Sequence, residues 1–190
     1  MKKNAHWLDE LERKSRDSVE GLRFKTNMDH WGEEFYSPHQ FFYELVANAD
    51  DEGATTAQLI IDNNKVIFQH NGNEFTKEDV EDITSYLKKK KYRKLDKIGN
   101  FGAGFKTVLQ LCNEPEISSI IDNELICFTI QDKVVPCRKK LSGWVEKKLT
   151  KELKKNGKTK FVFPIDKKNH SQQKYLDKES FKNFLKKNNF

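Results

Sequence analysis

The stretch 41–51 repeats apolar residues at helical spacing, and this pattern constrains the fold more than any other part of the chain. A helix there would gather its apolar side chains on one face that can pack against a core. That face consists of Phe41, Phe42, Leu45, Val46 and Ala49. Ser37 and Pro38 provide a start signal just before it, and Gly53 provides the stop.

The polar side of the same helix carries Glu44, Asn48 and Asp51, each about one turn from the next. A carboxylate, an amide and a second carboxylate in one line are suited to forming the wall of an ion-binding site. Such residues also face solvent on many helices for solubility alone. The stripe by itself leaves both interpretations open.

The remaining elements follow from periodicity and turn signals. Helices are predicted at 7–22, from the cap Thr76 through Leu87, at 106–111, at 149–155 and at 178–187. Strands are predicted at 57–61, 66–69, 116–121, 125–130 and 160–165, the first two forming a hairpin. With no internal repeat and no linker between two cores, these elements predict an α/β (α+β) fold, a two-layer α/β sandwich.

Composition favours a packed, intracellular protein. The 190 residues are enough for one domain, and a 36% hydrophobic fraction with fourteen Phe favours a globule. The three cysteines, Cys112, Cys127 and Cys137, are scattered, which is typical of a reducing compartment. No apolar run approaches the length of a membrane span. A soluble, cytoplasmic protein with no membrane contact is therefore expected.

The formal net charge of +6 comes largely from lysines late in the chain. They are Lys147, Lys148, Lys151, Lys154, Lys155, Lys158 and Lys160. Such a segment is either a solvated face or a nucleic-acid surface. Few aromatic residues interleave with these lysines, which counts against specific recognition of single strands.

A glycine-rich segment, Gly99, Gly102 and Gly104, requires a tightly turning backbone and is followed by a predicted helix at 106–111. This arrangement is typical of phosphate recognition. A Walker A loop is excluded because Phe105 separates Gly104 from Lys106. A dinucleotide fingerprint is excluded as well, because its third glycine and its preceding strand are missing.

A third pattern fits. Glu44 and Asn48 on a helix, the turn His70-Asn71-Gly72-Asn73-Glu74-Phe75, and the segment from Gly99 to Val108 resemble, in order and separation, the three boxes of the GHKL ATPases. This superfamily includes DNA gyrase B, MutL-type proteins, histidine kinases and the ninety-kilodalton heat-shock chaperones. The likeness is strongest to sacsin-like ATPase domains, because the second box has their His-Asn-Gly form and the third ends in Gly-Phe-Lys-Thr-Val.

The resemblance implies a Bergerat fold, with a mixed, mainly antiparallel sheet covered by helices on one face. It covers about 31–165, which would leave 1–30 as a helical extension and 166–190 as a basic helical tail. It implies ATP and Mg²⁺ as cofactors, with Asn48 as the metal ligand and Glu44 activating the attacking water. The positions that match ATP-binding residues are Asn48, Asp51, His70, Asn71, Gly72, Phe75, Gly99, Gly102, Ala103, Gly104, Phe105, Lys106 and Thr159.

One of these positions departs from the chaperone pattern. His70 stands where the chaperones have an Asp that accepts a hydrogen bond from the adenine amino group. A neutral imidazole can accept one such bond, but a protonated one cannot. Adenine affinity is then weaker, dependent on pH, or supplied by Asp51, Asn71 or Thr159. The side chain of Lys106 either stabilises phosphate charge or lies on the surface of its helix with no catalytic part.

Two functional hypotheses follow from the resemblance. The first is a slow Mg²⁺-dependent ATPase whose lid, 88–104, closes over ATP and transmits its state to a protein partner, with dimerisation as an option. The second is a nucleotide-gated protein-interaction module with little or no hydrolysis, as part of a DNA-associated or defence system. Nucleic-acid binding by the lysine-rich segments is a third class of function.

Overall fold

The computed structural model of the protein describes residues 6–21, 40–62, 64–85, 105–165 and 177–187. The elements, in chain order, are helix α1 (His6–Gly21), helix α2 (Gln40–Asp51), strands β1 (Ala57–Asp62) and β2 (Lys65–His70), helix α3 (Lys77–Thr84), a short 3-10 helix (Phe105–Gln110), strands β3 (Glu116–Ile121), β4 (Glu124–Gln131) and β5 (Val135–Arg138), helix α4 (Gly143–Asn156), strand β6 (Thr159–Pro164) and helix α5 (Lys178–Lys187). Across these ranges, none of the helices combines the length and the apolar character that crossing a bilayer requires.

The strands form one sheet in the order β1-β2-β6-β3-β4-β5. Every pairing among the described strands is antiparallel. Strand β6 comes late in the chain, yet it lies between β2 and β3 in the middle of the sheet. The prediction of an α+β fold with a mainly antiparallel sheet is confirmed.

The main core lies between one face of this sheet and the helices. Helix α2 buries its predicted apolar side chains there, with Val46 only half-buried at the margin. Leu8 of α1 and Phe181 of α5 lie in the same core, and the rings of Phe42 and Phe181 meet edge to face at 5.3 Å. The segments predicted as an N-terminal extension and a C-terminal tail therefore both contribute to the core, and the boundaries at 30 and 165 stay predictions.

Helix α4 is associated with the other face of the sheet. Glu152 of α4 forms an ion pair with Lys160 of β6. The next residue of the strand, Phe161, belongs to the main core. Since successive strand residues point to opposite faces, Lys160 and α4 lie away from the main core. Leu153 anchors α4 by being completely buried. Most of the helical layer thus covers one face, and α4 lies on the other.

Several local predictions can be compared directly. Thr76 caps α3 in a reciprocal capping box with Asp79, as expected for its start signal, although α3 ends at Thr84 and the predicted end at Leu87 lies outside the described residues. Helix α5 occupies the predicted range. The predicted start of α4 at Leu149 is wrong, because the helix begins at Gly143. Strand β5 was not predicted.

Candidate functional site

Helix α2 presents the first group of candidate residues. Glu44 is half-buried, and its Oε1 accepts a hydrogen bond from Nε2 of Gln40 at 3.2 Å, one turn earlier. Asn48 follows one turn later, and its Oδ1 is buried without a hydrogen-bond partner among the described residues. Burying an amide oxygen without a partner is costly. Its position therefore suits a ligand that interacts with oxygen. Asp51, half-buried, is the last residue of α2.

His70 ends strand β2 and is 4% exposed. Its ring stacks on the ring of Phe161 with centroids 6.2 Å apart, and its Nδ1 accepts a hydrogen bond from the N–H of Gly72 at 3.2 Å. Burial lowers the pKa of His70 to about 4, so the imidazole is neutral at physiological pH. Because Nδ1 accepts a bond, the neutral ring carries its proton on Nε2. The free nitrogen is therefore a donor, not the acceptor that the sequence suggested.

His70 belongs to a polar row that crosses three strands on the core side of the sheet. His70 of β2 pairs in register with Thr159 of β6, which pairs in register with Ser119 of β3. The hydroxyl oxygens of Thr159 and Ser119 are 2.9 Å apart, and both side chains are completely buried. Ser119 was missed by the sequence analysis; a serine at an inward position of an apolar strand was the available signal.

Ser119 connects this polar row to the second box. Its Oγ accepts a hydrogen bond from the backbone N–H of Phe75 at 3.3 Å and lies 3.2 Å from the carbonyl oxygen of Lys158, to which it can donate. One hydroxyl thus joins the turn after β2 to the residue that leads into β6. The polar row is held by hydrogen bonds within the protein, which fixes its geometry before any ligand arrives.

The turn 71–75 is tied to the end of α2. The side-chain oxygen of Asn71 accepts hydrogen bonds from the backbone N–H groups of Thr55 and Thr56, both at 2.9 Å, and its amide donates to Thr55 Oγ1 at 2.8 Å. Asn71 therefore acts as a clamp on the loop between α2 and β1. A Cβ on Gly72 would lie 2.9 Å from the carbonyl oxygen of Glu52, so glycine permits this close approach.

Gly157 makes a similar approach from the other side. Its backbone has φ 143° and ψ 153°, a conformation that only glycine adopts readily. A Cβ there would lie 2.4 Å from the carbonyl oxygen of His70. The chain entering β6 can therefore pack against the second box only because residue 157 has no side chain.

The third box is described from Phe105 onward; Gly99, Gly102, Ala103 and Gly104 lie outside the described residues. The Phe105 ring packs against that of Phe161 at 5.8 Å, and the Phe75 ring packs against it at 5.9 Å. Phe161 thus joins the second and third boxes, and the 3-10 helix also contacts α2 of the first box. Apart from its place in an apolar strand, nothing in the sequence pointed to Phe161.

Lys106 is buried, with 5% of its surface exposed. Its Nζ donates hydrogen bonds to the carbonyl oxygens of Ile83 at 2.8 Å and of Lys133 at 3.3 Å. Burial lowers the pKa of Lys106 to about 8. Contact with phosphate would require Nζ to leave these carbonyls. In the structure, Lys106 links the 3-10 helix to α3 and to the turn before β5.

The donor set around α2 bears on the predicted metal. Within the described ranges, no three His, Cys, Asp or Glu side chains lie close enough together to hold a metal ion. A cation here would need phosphate oxygens and water to complete its shell, which is the usual arrangement for Mg²⁺ bound with a nucleotide. The buried Asn48 oxygen is a hard ligand suited to that ion.

Comparison with known proteins identifies the family of the chain. The profile of the Sacsin domain family matches residues 66–188, about two thirds of the chain. This range includes the second and third boxes and the polar row, whereas Glu44 and Asn48 precede it. Human sacsin is 29% identical over a region that covers 46% of this chain and 2% of the human protein. The predicted likeness is confirmed, and the chain belongs to the Sacsin domain family.

Proposed function

We propose that this domain binds ATP together with Mg²⁺ and hydrolyses the ATP slowly. The observation that carries the proposal is the buried Oδ1 of Asn48, which has no hydrogen-bond partner among the described residues and stands one turn from Glu44. An oxygen in that state is stabilised by a bound cation. The family match supports a domain of the sacsin type.

The α2 residues would divide the chemistry between them. Asn48 would supply the protein oxygen to Mg²⁺, and the bound ion would neutralise charge on the phosphates. Glu44 would accept the proton from the attacking water. Gln40 fixes the Glu44 carboxylate through the bond at 3.2 Å, which leaves its second oxygen to orient that water.

The base of the nucleotide would be recognised by the polar row. His70 offers an N–H, so it pairs with a ring nitrogen of the base and not with an amino group. Because its pKa is about 4, this donor keeps one charge state across the neutral range. Thr159 would complete the recognition through its hydroxyl, which Ser119 already orients.

The lid and the partner belong to the same proposal. The segment 88–104, outside the described residues, would close over the phosphates with the backbone of Gly99, Gly102, Ala103 and Gly104. Lys106 is the second residue after it, and its Nζ donates hydrogen bonds to the carbonyl oxygens of Ile83 and Lys133. Closure of the lid would therefore change the contacts that Lys106 makes with α3 and with the turn before β5, and a protein partner would bind there.

Calorimetric titration of ATP with and without Mg²⁺ tests the binding step. We expect Mg²⁺ to strengthen binding in the wild type and in Asn113→Ala, an exposed control, but not in Asn48→Ala. Absence of ATP binding by the folded wild type would overturn the proposal.

Phosphate release tests the chemical step. Glu44→Gln keeps the size of the side chain but removes the base, so binding should persist while release falls by about 10²- to 10⁴-fold. Binding by the wild type without any release would instead favour the nucleotide-gated interaction module. Equal release by Glu44→Gln and wild type would remove Glu44 from the mechanism.

A further inference from the structure

Helix α4 presents a strongly basic outward face. At 100° per residue, five lysines and one tryptophan fall within an arc of about 120°. These residues, called the basic face below, are Trp144, Lys147, Lys148, Lys151, Lys154 and Lys155. The buried Leu153 lies on the opposite side of the helix. The segment from Trp144 to Lys155 extends about 16 Å along the helix axis.

The lysines of the basic face form no ion pairs within the described residues, although the carboxylate of Glu146 borders the same surface. In the described part of the chain, none of the five forms an ion pair, whereas Lys14, Lys139, Lys158 and Lys160 each pair with an acid. Of the two acids in α4, Glu152 is already paired with Lys160, and Glu146 borders the basic face without pairing with any of its lysines. Five lysines beside one bordering carboxylate leave an excess of positive charge on one helix, and a polyanion would relieve the resulting repulsion.

Trp144 gives this face a second property. Its side chain is 71% exposed, the most exposed of the large hydrophobic residues in the described ranges. The ammonium group of Lys148 lies 5.2 Å from the centre of its ring. An exposed indole beside cations offers a flat surface on which a nucleobase can stack while phosphates contact the lysines. The prediction that aromatic residues are scarce among these lysines considered the chain only from Lys147 onward. It therefore left out Trp144, which lies in the first turn of the same helix.

An anionic membrane surface would satisfy the charges but not the apolar pattern. Interfacial helices insert a broad apolar face into the lipid. In α4, Leu153 is buried and Leu149 is half-buried on the side away from the lysines. One indole among lysines suits base stacking better than membrane insertion.

We propose that the basic face of α4 binds single-stranded nucleic acid, with phosphates on the lysines and a base stacked on Trp144. The face lies on the opposite side of the sheet from the polar row. Its binding therefore does not depend on the proposed ATPase function and is measured without nucleotide or metal.

The test is fluorescence anisotropy of a labelled oligothymidylate of about 15 nucleotides, titrated at several salt concentrations. The first variant changes Lys147, Lys151 and Lys155 to Gln. Its control changes Lys178, Lys182 and Lys186 to Gln, which removes the same charge at the same spacing from α5. We expect the first variant to lower the slope of log affinity against log salt by about 2, and the control to leave it nearly unchanged.

A second pair of variants tests stacking. Trp144→Ala should weaken binding by about tenfold or more, while Trp144→Phe should retain most of it. Trp144 is exposed, so circular dichroism should show unchanged folding for both variants. Failure of the wild type to bind at low salt, equal losses in the two triple variants, or binding to vesicles of anionic phospholipid but not to the oligonucleotide would each overturn the proposal.

Discussion

Acidification should destabilise the fold through His70. The ring is buried and its pKa is lowered from 6.5 to about 4. The imidazole therefore binds a proton at lower pH in the folded state than in the unfolded chain. Between these two values the unfolded state binds more protons. The stabilisation is therefore complete above pH 6.5 and is lost as the pH falls through this window.

The size of the effect follows from the two pKa values. Going from pH 8 to pH 5, the loss attributable to His70 is about 2 kcal/mol, and it approaches about 3 kcal/mol at still lower pH. Urea unfolding followed by circular dichroism at pH 8, 6.5 and 5 would measure it. His70→Gln is the matched variant, because it stays neutral and keeps an acceptor for the N–H of Gly72.

We expect the free energy of unfolding of the wild type to fall by about 2 kcal/mol more than that of His70→Gln over this range. Carboxylates titrate in both proteins, so the difference isolates the imidazole. Parallel pH profiles of the two proteins would refute the reasoning, since they would mean that the ring can be protonated in the folded state.

Three further predictions concern stability. Gly157→Ala should lower the free energy of unfolding by about 1–3 kcal/mol or more, because a Cβ there meets the His70 carbonyl, while Gly143→Ala, whose Cβ has open space, should cost nothing; urea unfolding compares the two. Between pH 8 and 10.5 the free energy of unfolding of the wild type should rise by about 3 kcal/mol relative to that of Lys106→Met, because the lysine stays protonated to higher pH in the unfolded chain than in the folded one. A difference between the two proteins that does not change with pH would contradict the lowered pKa of Lys106. Ser119→Ala should cost about 1–3 kcal/mol in thermal or urea unfolding, because Phe75 N–H loses its acceptor, and an unchanged protein would show that the hydroxyl is replaceable.

Local signals predicted most of the elements. The apolar stripe of α2, the capping box at Thr76 and the alternation in β3 each depend on residues that are close together in the sequence. These elements can therefore be predicted from short stretches of the chain. Strand β5 was missed because it has four residues and contains Pro136, which is unfavourable in a central strand. It is tolerated here because β5 lies at the edge of the sheet.

The candidate site was predictable only in part. Glu44 and Asn48 share a helix, so their spacing alone places them on one side. The polar row depends on the register of strands that are far apart in sequence, and no local pattern encodes that Ser119 stands beside Thr159. The tautomer of His70 depends on the backbone of Gly72, and the burial of Lys106 depends on α3 and the turn before β5.

The central position of β6 has a consequence for synthesis on the ribosome. Strands β2 and β3 do not pair with each other; each pairs with β6, which is made roughly forty residues after β3. A nascent chain that has not yet reached Thr159 therefore carries a two-stranded unit, β1-β2, and a three-stranded unit, β3-β4-β5, each with an open inner edge. Exposed edges of this kind recruit other strands. The polar row at His70 and the protection of the sheet from aggregation are completed by the same late strand.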